Sequence, residues 1–238
     1  MPDSEPLVEL RGVTKDYRGL RPLRIQHLDL PSRHSVAILG VDLAMAEVFV
    51  NLVTAAQLPD AGDIRVFGRL TREIHEPADW MATLDQFGLV SERAVLVDDF
   101  TAGQNLAMPL SLEITDMAPP LRATVRRLAD EVALPAEEID APTGSLSPLS
   151  RLRLRLARAL ALGPRVLLAE HPNAAIPPCD AAAFAADYAR IVNARGLASV
   201  VLTADRTFAG AVADQVLTLH AATGELQSTG RGWRRWFS

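Results

Sequence analysis

An apolar run ending on glycine is the usual approach to a loop that wraps phosphates, and Ser35-Val36-Ala37-Ile38-Leu39-Gly40 has that form. Such a loop reads GxxxxGK(S/T). Its glycines let backbone N–H groups close around the phosphates, its lysine neutralises their charge and its hydroxyl holds Mg²⁺. After Gly40 this chain continues Val41-Asp42-Leu43-Ala44-Met45-Ala46-Glu47-Val48. Met45 stands in the place of the second glycine, Ala46 in that of lysine and Glu47 in that of the hydroxyl. The chain's one lysine, Lys15, lies elsewhere. A bias that swaps lysine for arginine would leave arginine at position 46, so the alanine there is better explained by loss of phosphate chemistry.

Other residues invite chemistry less strongly. Glu170 and His171 adjoin at the end of a second apolar run, Val166 to Ala169. Neighbours at a strand end point different ways, and no third metal ligand is evident, so a structural role outweighs a metal pair. Arg151, Arg153, Arg155 and Arg158 interleave with Leu152, Leu154 and Leu156, which fits a half-buried helix better than a strip for nucleic acid. The segment 230–238 gathers Trp233 and Trp236 beside Arg231, Arg234 and Arg235. That mixture suits a membrane interface or the underside of a membrane-embedded partner, with a frayed terminus as the plain alternative.

Alternating elements must position these groups. Val8 to Val13 and Leu23 to Leu30 read as antiparallel strands around a turn at Arg18-Gly19-Leu20-Arg21-Pro22. Val36 to Gly40 is a buried strand, and Ala44 to Gln57 carries apolar residues at helical spacing until Pro59-Asp60-Ala61-Gly62-Asp63 breaks it. Ile64 to Phe67 returns as a strand, and Phe100 to Gly144 reads as a helical insertion punctuated by Pro119-Pro120 and Pro135. Beyond it the spacing predicts a helix over Leu149–Leu162, a strand over Val166–Ala169, a helix over Pro178–Arg195 and a strand over Ser199–Thr203. A short helix near Phe208–Ala213 and the strand Val216–His220 complete the pattern. Such α/β alternation implies a mainly parallel sheet with helices on both faces.

Bulk composition narrows the field. At 238 residues the chain can bury a substantial core. Its net charge of −5 argues against bulk electrostatic binding to nucleic acid. The single cysteine, Cys179, allows neither an intrachain disulfide nor a cysteine metal cluster. The start, Met-Pro-Asp-Ser-Glu-Pro, is unlike a secretory signal, and Asp42, Glu47 and Asn51 interrupt the most apolar long window, Val36 to Ala56. The expectation is a soluble cytoplasmic protein.

From about Leu7 to Gln227 the order and separation of landmarks resemble those of the nucleotide-binding subunit of an ABC transporter, the ATP-binding cassette. Tyr17 falls where that family stacks an aromatic on adenine, and Leu58 to Gly68 looks like the stretch after the P-loop helix. Phe100-Thr101-Ala102-Gly103-Gln104-Asn105-Leu106-Ala107-Met108-Pro109-Leu110 resembles the opening of the helical subdomain, and Arg151 to Arg165 is similar to the signature helix nearly position by position. The resemblance implies a P-loop NTPase-like α/β fold with an antiparallel N-terminal part. It divides the chain into 1–98 (β part and first half of the core), 99–146 (helical subdomain), 147–229 (second half of the core) and the 230–238 tail.

The same resemblance implies that catalytic positions are substituted throughout. The Q-loop glutamine falls on Glu92, and the LSGGQ signature on Leu146-Ser147-Pro148-Leu149-Ser150. The Walker B aspartate falls on Glu170, the catalytic glutamate on His171, the D-loop aspartate on Pro177 and the switch histidine on Ala204. Tyr17, Gly40 and Ser147 are left as vestiges of a nucleotide site, beside the acid at Glu170. Two like charges about 4 Å apart repel by roughly 4 kcal/mol at an effective dielectric of 20, so Asp42 and Glu47 in a cradle without a cation should repel ATP. The expectation is a pseudo-ATPase without ATP or Mg²⁺ as cofactor, serving as a structural or regulatory part of a transporter complex.

By that resemblance its partners are a transmembrane permease, a second cassette or both, with the chain held at the inner face of the membrane. A partner cassette would share both composite sites with this chain's defective halves. Ala94-Val95-Leu96-Val97 and Phe100 lie beside the family's cleft for the permease's coupling helix, although plain core packing serves those residues equally well. Two further readings stay open: a divergent but working ATP-binding subunit completed by a partner, and a soluble cassette-fold scaffold without a transporter.

Overall fold

The computed structural model describes residues 5–228. Strands β1 (Val8–Lys15), β2 (Leu23–Leu30), β4 (Ala61–Val66) and β5 (Arg69–Leu70) form an antiparallel sheet in the order β2-β1-β4-β5. Strands β3 (Ser35–Leu39), β6 (Phe87–Val90), β7 (Val166–Glu170), β8 (Ala198–Leu202), β9 (Gln215–His220) and β10 (Glu225–Ser228) form a second sheet in the order β10-β9-β3-β8-β7-β6. Only β10 runs antiparallel in it. The helices are α1 (Leu43–Val53), α2 (Pro77–Leu84), α3 (Ala102–Ala107), α4 (Pro119–Glu131), α5 (Pro148–Leu160), α6 (Pro178–Arg195) and α7 (Arg206–Val212).

Every residue of β3, β7 and β8 is buried, because a parallel strand is covered on both sides and must read as a continuous apolar run. Alternation along each strand sorts these side chains into two cores. Ala37, Leu39, Leu167, Ala169 and Val201 face α3 to α7, while Val36, Ile38, Val166, Leu168, Val200 and Leu202 face α1 and the antiparallel sheet. The expectation of helices on both faces is thereby refined. On the second face α1 shares the cover with β1, β2 and β4, whose Val8, Leu10, Ile25, Leu30 and Ile64 close that core.

Element boundaries differ from the expected ones for local reasons. Against the expected span Ala44–Gln57, helix α1 begins at Leu43 because the Asp42 carboxylate caps it. It ends at Val53, where Thr54 closes the last turn and Ala55 takes φ 58°. The insertion expected over Phe100–Gly144 resolves into α3 and α4 joined by irregular chain. Pro119 and Pro120 open α4, where a missing N–H costs nothing. Helix α2 and strand β6 arise where the sequence pattern predicts no element.

One anchor in this insertion holds the chain that continues from β6. Asn105 is fully buried; its Oδ1 accepts from the Val97 N–H at 2.9 Å, and its amide donates to the Val97 carbonyl (2.9 Å), the Thr101 carbonyl (3.2 Å) and Thr143 Oγ1 (3.0 Å). Removing those partners strands a buried N–H and carbonyl, so Asn105→Leu should cost about 3 kcal/mol. Urea titration would read this as a lower midpoint at an unchanged slope; an unchanged midpoint would count against the anchor.

Candidate functional site

In open parallel sheets ligands bind beyond the carboxyl ends of the strands. Gly40 follows β3, Ala204 follows β8, Glu170 ends β7 and Ser91 follows β6, so these four positions share that rim. Gly40 takes φ +82°, and a Cβ added there would lie 2.9 Å from the Leu219 carbonyl oxygen. This position therefore needs glycine for the β3–β9 packing, whatever the loop binds.

The chain between β3 and α1 is three residues long, Gly40 to Asp42. Asp42 Oδ1 accepts the Met45 N–H at 2.8 Å, and its carbonyl accepts the Ala46 N–H at 2.9 Å. Two donors of the kind a phosphate cradle would aim outward are satisfied by the chain's own oxygens. Ala46 is buried, at 1% exposure. Tyr17 is half-buried against the second core and lies over Gly19. Partial burial raises its phenol above the ordinary value, and the nearby Asp42 charge adds to the shift.

Glu47 and Glu170 are brought together by a residue that the motif spacing does not single out. Arg93 Nε donates to Glu170 Oε2 at 3.0 Å, Arg93 Nη2 to Glu170 Oε1, and Arg93 Nη1 reaches Glu47 Oε1 at 3.4 Å. The Ser91 hydroxyl also bonds Glu170 Oε2, and the Arg93 N–H bonds Ser91 Oγ at 3.1 Å. The bonds to Glu170 hold the guanidinium above its ordinary value against partial burial. This corrects the expectation of a cradle without a cation: Glu47 is paired, and Asp42 turns back into its own helix. The signal available in the sequence was Arg93 itself, one residue past Glu92.

Glu92 points elsewhere. It pairs with Arg155 at 2.7 Å, and burial lowers the Arg155 value despite that partner. Arg151 bonds Asp98 at 2.7 Å and Arg158 Nη1 donates to the Val95 carbonyl at 2.7 Å, so Arg151, Arg155 and Arg158 of α5 grip the 92–98 segment, while Arg153 pairs with Asp187 of α6. Within that segment Leu96 packs into the first core, and Ala94 and Val97, with Phe100 just beyond, are half-buried. Val95, 69% exposed, is the apolar side chain presented outward. Trp233 and Trp236 lie outside the described residues.

Ser147 caps α5, its Oγ accepting the Ser150 N–H at 3.1 Å, with Pro148 at the first helical turn. His171 takes the left-handed conformation at φ 42°, and its Nε2 is buried without a partner. Ala204 is exposed, while its neighbour Asp205 caps α7 through the Thr207 and Phe208 N–H groups at 2.8 and 3.0 Å. No group of three or more potential metal-binding side chains occurs among the described residues.

No protein-family model matches the sequence. The chain is 27% identical over 228 residues to the lipoprotein-releasing system ATP-binding protein LolD 2 of Caulobacter vibrioides, covering 94% of this chain and 99% of that protein. It is 31% identical over 179 residues to the macrolide export ATP-binding/permease protein MacB of Bordetella avium, covering 73% of this chain and 27% of that one. The fold matches the dimeric ATP-binding cassette MJ0796 bound to ADP and Pi with a TM-score of 0.76 at 21% identity, over 92% of this chain and 96% of that one. By sequence, then, this chain's relatives are ABC transporter ATP-binding proteins, and its fold is that of an ATP-binding cassette.

Proposed function

We propose that the chain is a cassette subunit that has given up ATP hydrolysis and serves an ABC transporter complex as a structural or regulatory part. The observation that carries this is the mouth of α1, where Asp42 Oδ1 takes the Met45 N–H at 2.8 Å and the buried Ala46 supplies no charge. A triphosphate with its Mg²⁺ needs open backbone donors, a lysine and a hydroxyl at this point. The residues present do not fit that group. Both oxygens of Glu170 are committed to Arg93 and Ser91, and Ala204 has no side chain with which to position a water.

The partner in this reading is a permease, as the ATP-binding/permease name of MacB suggests, or a second cassette, as the MJ0796 dimer suggests. No helix among the described residues is long and apolar enough to cross a membrane, so contact with the inner face of the membrane would come through that partner. Titration with Mg-ATP in a calorimeter should give no heat up to millimolar nucleotide. Recovery of a permease on affinity purification from native membranes would support the complex, and a lone monodisperse chain would count against it.

A second reading is favoured by Tyr17, which keeps an aromatic face beside the loop, and by the ATP-binding names of the relatives. In it the chain binds nucleotide and borrows its missing groups from a partner. Micromolar affinity in the same titration would replace the first reading with this one.

A further inference from the structure

Glu170 ends a fully buried strand, and its side chain is 7% exposed. A carboxylate so placed is costly unless it is paired and hydrogen-bonded. Here both oxygens are used: Arg93 presents a two-pronged fork to them, and the Ser91 hydroxyl adds a third bond. The remaining arm of the guanidinium turns to Glu47 on α1, at 3.4 Å. One cation thus bridges a strand end and a helix that otherwise bring two acids into one place, which is the task a bound divalent ion would perform.

The segment that carries Arg93 is itself pinned along its length. Glu92 is held by Arg155, the Val95 carbonyl by Arg158, the Val97 backbone by Asn105 and Asp98 by Arg151. These anchors come from α3 and α5, so residues 91–98 tie the sheet, α1 and the helical part together.

We propose that Arg93 is a built-in counter-ion, standing in for a divalent cation between Glu47 and Glu170 and fixing the 91–98 segment in one position whether or not any ligand is bound. This deepens the reading of an inactive cassette: the site is filled from within, and the filling holds shape.

The test uses the full chain and Mn²⁺ alone, with no nucleotide. Hydrogen exchange in residues 91–98 should be indifferent to millimolar Mn²⁺ in the native chain, and spin-resonance titration should find no bound ion there. In Arg93→Ala, exchange of the segment should quicken by about tenfold or more. Mn²⁺ should then bind and slow it again, a rescue that loss of packing alone would not give. Should Arg93→Ala fail to fold, Glu47→Gln removes only the half-exposed arm and should quicken exchange there about threefold, the yield of a partly exposed ion pair. Native Mn²⁺ binding as tight as the variant's, unrescued exchange in Arg93→Ala, or unchanged exchange in Glu47→Gln would each overturn the proposal. Nucleotide binding found by calorimetry would remove the proposed function and leave these outcomes unaltered.

Discussion

A chain carrying Asp42→Gly, Met45→Gly, Ala46→Lys and Glu47→Thr together should bind Mg-ATP, which the native chain is proposed not to do. Glycine at position 42 releases the Met45 N–H now taken by the Asp42 carboxylate, and the two glycines let the loop open, which the buried Ala46 requires before a lysine can extend from it. A lysine about 4 Å from a phosphate gains roughly 4 kcal/mol at an effective dielectric of 20, a factor of about a thousand in affinity. Removing two acids from the same place adds to this. Losing the Asp42 cap costs only about 1 kcal/mol, small against the stability of a folded domain. Calorimetry should therefore record a Kd in the range of about ten to a hundred micromolar. A restored chain that still gives no heat would place the obstacle at Arg93 and rule out the self-capped loop as the barrier.

Phe184→Ala should be among the most damaging single changes to stability. Phe184 is fully buried between the rings of Tyr188 and Phe208, with centroids 6.1 and 6.3 Å away. Truncation leaves a cavity that rigid strands cannot fill, at a cost of about 3–5 kcal/mol. For a chain of this length that is a fall of roughly 6–10 °C in Tm. Phe208 opens the helix capped by Asp205, so the loosening would also reach the turn that holds Ala204. Scanning calorimetry checks the figure, and a loss below about 1 kcal/mol would mean that the three rings repack freely.

The elements most legible in the sequence are those whose signal is local. Helix α6 spans Pro178–Arg195 as its proline start and terminal glycine predict, since α6 is closed by Gly196 at φ 61°. The strands β3, β7 and β8 are legible as unbroken apolar runs. Strand β6, Phe87–Val90, is not: Gly88 breaks its apolar pattern, and its identity as a strand comes from pairing with β7, far along the chain. The site divides along the same line. Position by position the family resemblance assigns Gly40, Glu47 and Glu170 to one site, because the order of landmarks fixes the element end near which each residue falls. It cannot give the direction of a side chain. Glu92 and Arg93 are neighbours on one segment; the first turns to α5 and the second to β7. Hence the arginine that decides the electrostatics is visible in the sequence only as the neighbour of Glu92, with nothing there to say which acid it meets. Spacing alone makes Asp42 a repelling charge, yet capping spends it on its own helix. The family resemblance likewise makes Ser147 a vestigial ligand, and its hydroxyl caps α5.

A counter-ion borne on the polypeptide cannot diffuse away. Where a dissolved metal would come and go with supply, the guanidinium of Arg93 is kept beside Glu170 by a tether of a few ordered bonds. Even loose tethers hold their ends at millimolar effective concentration. Starvation, chelation or a swing in the adenylate pool would leave that carboxylate neutralised. On the proposed reading such a subunit would keep a constant outline while an ATP-driven partner cycled around it.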